Sequence, residues 1–332
     1  DREGGPAHGR GPRSLRNGQR NTSSVRSRSA KLTPVRHRIE YAAARTAFRI
    51  LGTLPRDTAL GLGAGLGKYA YSPFRVRADV VEAQIAAAFP DRDRDWVHRT
   101  ARECYRHFGR EAAEIVRLEG SAGMDLLSRT SRVEDVRSEF QSRLVPGMGA
   151  VIVTGHLGNW EAAGALVASL GMPLAAVVKR QSNQEFDRLL VDSRRRIGIE
   201  PVYMEDARAR LEDLIQSGTS VALVADQDAG NRGLFVPFLG RPASTFRGPA
   251  RLSMSTGAPL FFGAAIREGD GYRGILESVE TGLTGKEAEL ELTRQWVQRL
   301  ESWVRRVPDQ YFWFHRRWKT QPRSTGAANT ER

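Results

Sequence analysis

Beyond Gly147 the chain alternates between short apolar runs and amphipathic stretches. The runs at 150–154, 174–178, 220–225 and 259–266 have the length of buried strands. Stretches at about 160–170, 183–197, 206–217 and 246–256 carry helical spacing between them. That alternation predicts a largely parallel or mixed sheet with helices on both faces. Residues 271–280, GYRGILESVE, read as a further strand, and 286–307 as a long amphipathic helix ended by Pro308. No internal repeat is visible.

Before Gly147 the pattern is helical. IEYAAARTAFRILGTL places Ile39, Ala43, Ala47, Ile50 and Leu54 at helical spacing, with Arg38, Arg45 and Arg49 interleaved and Pro55 closing the stretch. Such a helix suits a membrane interface, apolar side down and arginines toward phosphate. It suits a domain's own core equally well, and periodicity alone leaves both open. GLGAGLGKYAY does not keep the spacing of a phosphate loop. Its small residues predict instead a close approach of two helices. Residues 76–89 and 94–118 read as two more helices, separated by Phe89-Pro90-Asp91. His98 and His107, nine apart, lack metal-ligand spacing.

Charge separates the N-terminus from the rest. Residues 1–38 carry ten Lys/Arg against Asp1 and Glu3, which is +8 of a net +13. Rich in Arg, Gly and Ser and without an apolar h-region, residues 1–35 fit a disordered basic arm rather than a secretory signal. Residues 323–332 read as a disordered tail. A start at Asp1 suggests that the natural initiator lies elsewhere. The basic balance favours anionic partners: nucleic acid, anionic lipid head groups or an acidic carrier protein. The single cysteine, Cys104, excludes an internal disulfide and a Cys-based metal cage, and suits a reducing cytoplasm. No run approaches the length of a conventional transmembrane helix.

The sharpest chemistry lies in Val151–Glu161, VIVTGHLGNWE. An apolar strand ends in Thr-Gly-His, and Gly158-Asn159 leads into a helix start. His156 is thereby placed at the C-terminal end of a strand, where α/β sheets bind ligands. His156 and Glu161, five apart, fall about 140° from each other on a continuous helix. They pair only if the chain turns between them, which Gly155 and Gly158 permit. A histidine oriented by a carboxylate is a general-base arrangement; a buried, satisfied histidine is the alternative.

Three more islands follow: Val178-Lys179-Arg180, Asp226-Gln227-Asp228 with Gly233–Gly240, and Pro308–Thr320, PDQYFWFHRRWKT. Together the islands resemble the bacterial late acyltransferases of lipid A biosynthesis and their relatives, including phosphatidylinositol mannoside acyltransferases. The likeness rests on His156–Glu161 as a His-x4-Asp/Glu motif, Asp226–Asp228 as an acidic island, Val236–Gly240 as a "VPFFG"-like segment, and Pro308–Lys319. It covers roughly residues 40–322. Glu161 stands where the wider superfamily usually has Asp, Gln84 where relatives commonly show Asn, and the 39–54 helix carries arginines where several members span the membrane.

The resemblance implies an α/β fold: a single acyltransferase domain over 36–322, with a mixed, mostly parallel sheet flanked by helices and N-terminal amphipathic helices. Its helical part would be 36–145 and its catalytic part 146–322. The expected reaction moves a fatty acyl group from acyl-carrier protein or acyl-CoA to a hydroxyl of a lysophospholipid or glycolipid. No cofactor or metal is expected, and the site is the cytoplasmic face of the inner (plasma) membrane, reached peripherally or monotopically. His156 would be the base and Glu161 its orienting acid, as in a Ser-His-Asp triad. By the same resemblance Asp226 belongs to this polar cluster and orients His156 or the acceptor; the alternative is a structural carboxylate paired with Arg247 or Arg251. Arg180 and the N–H groups around Gly158 and Asn159 are candidate oxyanion or phosphate donors. Phe235, Pro237 and Phe238 are candidates for the acyl tunnel, and Arg316, Arg317 and Lys319 for head-group phosphates, against the alternatives of core packing and a solvated basic terminus. G-x-S-x-G is absent, which favours direct attack by the acceptor alcohol. Competing readings are an esterase or thioesterase using the same site, and a basic nucleic-acid-binding protein. No recognised nucleic-acid module supports the latter, so no specific nucleic acid is expected.

Overall fold

The computed structural model describes residues 23–118 and 129–322. Its helices are α1 (Ser23–Thr53), α2 (Arg56–Tyr71), α3 (Ala78–Ala88), α4 (Arg94–Arg117), α5 (Val133–Arg143), α6 (Trp160–Ser169), α7 (Gln184–Arg196), α8 (Met204–Gln216), α9 (Gly248–Thr256) and α10 (Gly285–Arg306). Its strands are β1 (Thr130–Ser131), β2 (Val151–Thr154), β3 (Leu174–Val178), β4 (Ile199–Tyr203), β5 (Ser220–Val224), β6 (Leu234–Phe238), β7 (Arg241–Thr245), β8 (Leu260–Glu268) and β9 (Gly271–Val279). Helix α1 begins inside the stretch expected as a basic arm. Residues 1–22 and the expected tail at 323–332 lie outside the described residues.

Seven strands form one mixed sheet in the order β1-β9-β8-β2-β5-β3-β4. Every neighbouring pair is parallel except β8 with β9. β2 occupies the centre, and its side chains are buried throughout, which explains why VIVT shows no alternation. β4, absent from the sequence reading, is an edge strand that tolerates Pro201. The Val236–Gly240 segment forms a hairpin with β7 outside this sheet. Leu239 and Gly240, both at positive φ, make its two-residue turn.

Local signals set the helix starts around the sheet. The Asn159 side chain accepts from Ala162 N (2.9 Å) to cap α6, and Asn183 caps α7 likewise. Helix α7 also carries Glu185 and Asp187 in its first turn and Arg194–Arg196 in its last, matching its macrodipole. Helix α10 lays Leu292, Trp296, Leu300 and Trp303 on the core at four- and three-residue steps. Helix α4 is sandwiched: Ala101, Cys104 and Glu111 face the core, while α2 packs on its opposite side. There Gly63 and Gly67 meet Gly109 so closely that a Cβ on Gly63 would lie 2.3 Å from Gly109 O. The small-residue stripe of α2 is therefore a helix-packing device.

Candidate active site

His156 stands at the C-terminal edge of the central strand, in a loop clamped from three sides. A Cβ on Gly155 would lie 2.8 Å from Leu300 Cδ1, so α10 packs tightly on the loop there. Gly158 has φ +60°, and a Cβ on it would reach 2.0 Å from Ala265 O on β8. The C-terminal segment closes the third side: Phe312 N donates to His156 O (2.9 Å) and Gly158 N to Gln310 O (2.9 Å). The loop thus holds its histidine on a rigid frame.

The carboxylate on His156 belongs to Asp226, just beyond the end of the neighbouring strand β5. Asp226 Oδ1 lies 2.7 Å from His156 Nδ1, and Oδ2 accepts from His156 N at 2.9 Å. Asp226 is fully buried. Burial alone would raise its carboxyl, but the charge and hydrogen bonds of His156 outweigh that and hold it well below the usual carboxylate range. An ionised Asp226 only accepts, so Nδ1 carries the proton and Nε2 of the neutral ring is the basic nitrogen. Burial pulls the imidazole pKa down, yet Asp226 overcomes it and leaves His156 above its ordinary value. Trp160 and Phe312 pack on the ring at 5.0 and 5.6 Å between centroids.

A cavity of about 590 Å³ opens at His156 and runs over the sheet beneath α5 and α6. Ile152, Leu166, Val167, Leu174 and Leu276 make it apolar, while His156, Lys179 and Gln227 stand among its polar groups. Small residues create the space. Ala176 and Ala222 pair with each other across β3 and β5, and Gly263 on β8 presents no side chain. The volume lies in the ordinary range of ligand pockets, roughly 300–1,000 Å³.

The other expected site residues fall elsewhere. Glu161 does line the cavity, but its carboxylate is held by Arg194, whose Nε lies 3.0 and 3.1 Å from the two oxygens. With Arg194 on Glu161 and Asp226 on His156, the expected His156–Glu161 pair is corrected. The alternative partners of Asp226, Arg247 and Arg251, bind Glu289 instead. Arg180 is exposed and stacks on Tyr203, 3.6 Å from the ring centroid. The N–H groups of Gly158 and Asn159 are already spent on Gln310 O and Ala265 O, so they offer no oxyanion hole here.

Phe235, Pro237 and Phe238 sit in the β6–β7 hairpin outside the cavity lining; Phe238 is buried against Tyr311 and Trp318. Arg317 is buried too, donating to Ser244 O (2.6 Å) and Thr245 Oγ1 (2.7 Å), which removes it from head-group contact. Arg316 and Lys319 are exposed beside a smaller cavity of about 260 Å³.

Sequence reasoning missed what Pro308–Thr320 contributes. Tyr311 is fully buried, and its phenol is pushed well above its ordinary range by burial and by the charge of Asp226. The His315 ring centroid lies 6.4 Å from that of His156, and both its ring nitrogens are buried without a hydrogen-bond partner among the described residues. The only signal was the position of His315 in an aromatic run, without a partner at local spacing. Among the described residues no group of three or more His, Cys, Asp or Glu side chains is placed to hold a metal ion.

A mostly parallel α/β sheet with a His–Asp pair at its mouth, opening on an apolar cavity, suits chemistry on a molecule with a long apolar part. Residues 29–320 match the family of the bacterial lipid A biosynthesis acyltransferase, and the chain belongs to that family. It is therefore an acyltransferase acting on lipid-like acceptors. It is similar to the phosphatidylinositol mannoside acyltransferase of Mycolicibacterium smegmatis, 27% identical over 70% of this chain and 75% of the relative. It also resembles two Escherichia coli proteins. One is the lipid A biosynthesis palmitoleoyltransferase (25%, covering 81% and 87%) and the other the lipid A biosynthesis lauroyltransferase (26%, 81% and 88%).

Proposed function

We propose that this acyltransferase moves a fatty acyl group from a thioester of acyl-carrier protein or CoA to a hydroxyl of a lysophospholipid or glycolipid, working peripherally at the cytoplasmic face of the inner (plasma) membrane. One observation carries the reading: an Asp226-held histidine whose other nitrogen is available to an apolar cavity. The acceptor oxygen attacks the thioester carbonyl while His156 Nε2 takes its proton. Asp226 stabilises the imidazolium that forms and fixes the tautomer. Collapse of the tetrahedral intermediate breaks the C–S bond, and the imidazolium returns the proton to the departing thiolate. The products are an ester and a free thiol, with no covalent acyl-enzyme. Lys179 and Gln227, side-chain donors in the cavity wall, are the groups available to the carbonyl oxygen or a phosphate.

The relatives' names, one an acyltransferase of phosphatidylinositol mannoside and others of lipid A biosynthesis, support a glycolipid acceptor. The test incubates the purified chain in detergent with an acyl-CoA or acyl-carrier-protein thioester and either a lysophospholipid or a deacylated glycolipid, and follows products by mass spectrometry. An acylated acceptor that disappears with His156→Ala is expected. Free fatty acid as the sole product, whether or not acceptor is added, would make the chain a thioesterase and overturn the proposal.

A further inference from the structure

Helix α2 is apolar on both sides. Its inner side, with Ala59, Gly63, Ala64 and Gly67, is spent on α4. Its outer side presents Leu62, Leu66 and Tyr69 at i, i+4 and i+7, and Phe74 and Val76 follow in the next loop. These five side chains are 49–74% exposed, and none of the described residues covers them. A helix that is hydrophobic all round has two partners; here the fold supplies one.

Charge borders this strip. Arg99, Arg102, Arg106 and Arg110 on α4 fall within an arc of about 80° beside the α2 contact. Arg99 and Arg102 are exposed and form no ion pair among the described residues. Lys68 stands exposed on α2 itself. Large apolar groups beside a row of cations, with Tyr69 at their border, match the chemistry of a bilayer surface with anionic head groups.

The strip also connects to the site. Arg77 Nε donates to Phe314 O (2.9 Å), and the Tyr105 hydroxyl donates to Val76 O. Tyr105 packs on Phe314, Phe314 on Phe312, and Phe312 on His156.

We infer that the outer face of α2 with the Phe74–Val76 loop is the surface that docks on an anionic bilayer. The inference rests on the lipid-acylating reading above. It differs from an anchor at Ile39–Leu54, whose outward residues are Ile39 and Ile50 separated mainly by alanines and polar groups, with Phe48, Leu51 and Leu54 half-buried.

The experiment is co-sedimentation of the full chain with phosphatidylcholine vesicles, with and without phosphatidylglycerol, across a salt series. Leu66→Asp with Phe74→Asp lowers partitioning at least about tenfold at every salt concentration, since two buried apolar groups are lost. Ile39→Asp with Ile50→Asp has a smaller effect. Arg99→Gln with Arg102→Gln removes preference for anionic vesicles, about fivefold per residue at low salt. Parental sedimentation of the Leu66/Phe74 variant overturns the inference. So does a parent that is oligomeric by light scattering and becomes monomeric in that variant, because the strip is then an interface between copies. All three variants keep the parental melting temperature and parental transfer rate in detergent. The detergent assay therefore judges the reaction, and the vesicle assay judges the surface.

Discussion

Arg267 and His156 lie at the ends of neighbouring strands, each beside buried carboxylates, and their surroundings differ in one respect. Arg267 donates to Glu111 and, through Nη2, to Glu114 (2.8 Å) and the Tyr272 hydroxyl (2.5 Å). Asn159 Nδ2 joins the same cluster through Glu111 (2.8 Å) and Tyr272 (3.0 Å), and Arg56 reaches Glu114 at 2.7 Å. Burial would raise the Glu111 carboxyl, but Arg267 holds it below its ordinary value, so this is a settled ion cluster. Around His156, among the described residues, only one ring nitrogen is engaged, and the neighbouring His315 nitrogens have no partner. A network whose carboxylates are both held by arginine fixes position, while a group held on one side only is ready for a transient partner. The first cluster fixes the loop through Asn159; the second acts from it.

The largest separation of the two comes from His156→Ala. Transfer falls by roughly 10²–10⁴ with loss of the base, while the melting temperature stays near the parent's. A well-folded variant with unchanged turnover would end the mechanism. The opposite signature belongs to Arg267→Met. Removing one partner from a buried ion cluster costs about 3–5 kcal/mol of stability, read by denaturant or thermal unfolding. A parental unfolding midpoint in that variant would mean that the cluster is not the scaffold.

Asp226→Asn comes next, with about a hundredfold loss of rate. It also has a pH signature. The base works only when neutral, so kcat/KM falls as pH drops through the His156 pKa. In the parent that pKa is raised, because Asp226 more than offsets burial. Asparagine removes the raising influence and leaves burial, so the acid limb moves to lower pH. A limb that stays in place would show that Asp226 does not set the protonation of His156.

The sheet was legible because its strands are short apolar runs between helical periods. β4 escaped because Pro201 interrupts a weak run, and the hairpin because Val236-Pro237-Phe238 resembles tunnel lining as much as strand. Position 156 stood out from the strand–Gly–His–Leu–Gly sequence. Its partner could not be read from spacing, and the resemblance offered Asp226 only as orienting either His156 or the acceptor: Asp226 is 70 residues away, and only the adjacency of β2 and β5 brings it to His156. Glu161 lay five residues away and attracted the pairing, while its actual partner, Arg194, sits 33 residues on. Spacing reports contacts within an element, and contacts across strands depend on the order of the sheet.

The smallest predicted effect decides between those two carboxylates. Glu161→Gln keeps the shape of the side chain and removes the charge that Arg194 grips; the two side chains are 10% and 22% exposed, so solvent replaces the lost interaction only in part. A cost of about 1–3 kcal/mol in stability follows, as for any partly buried polar group left short of its partner. Both residues line the cavity, so the loosened wall lowers the rate, but by less than about tenfold. The acid limb of the pH profile should not move, because Asp226 remains on His156 Nδ1. A shifted limb, or a rate loss matching that of Asp226→Asn, would place Glu161 on the histidine during turnover and make the observed Arg194 pair a resting arrangement.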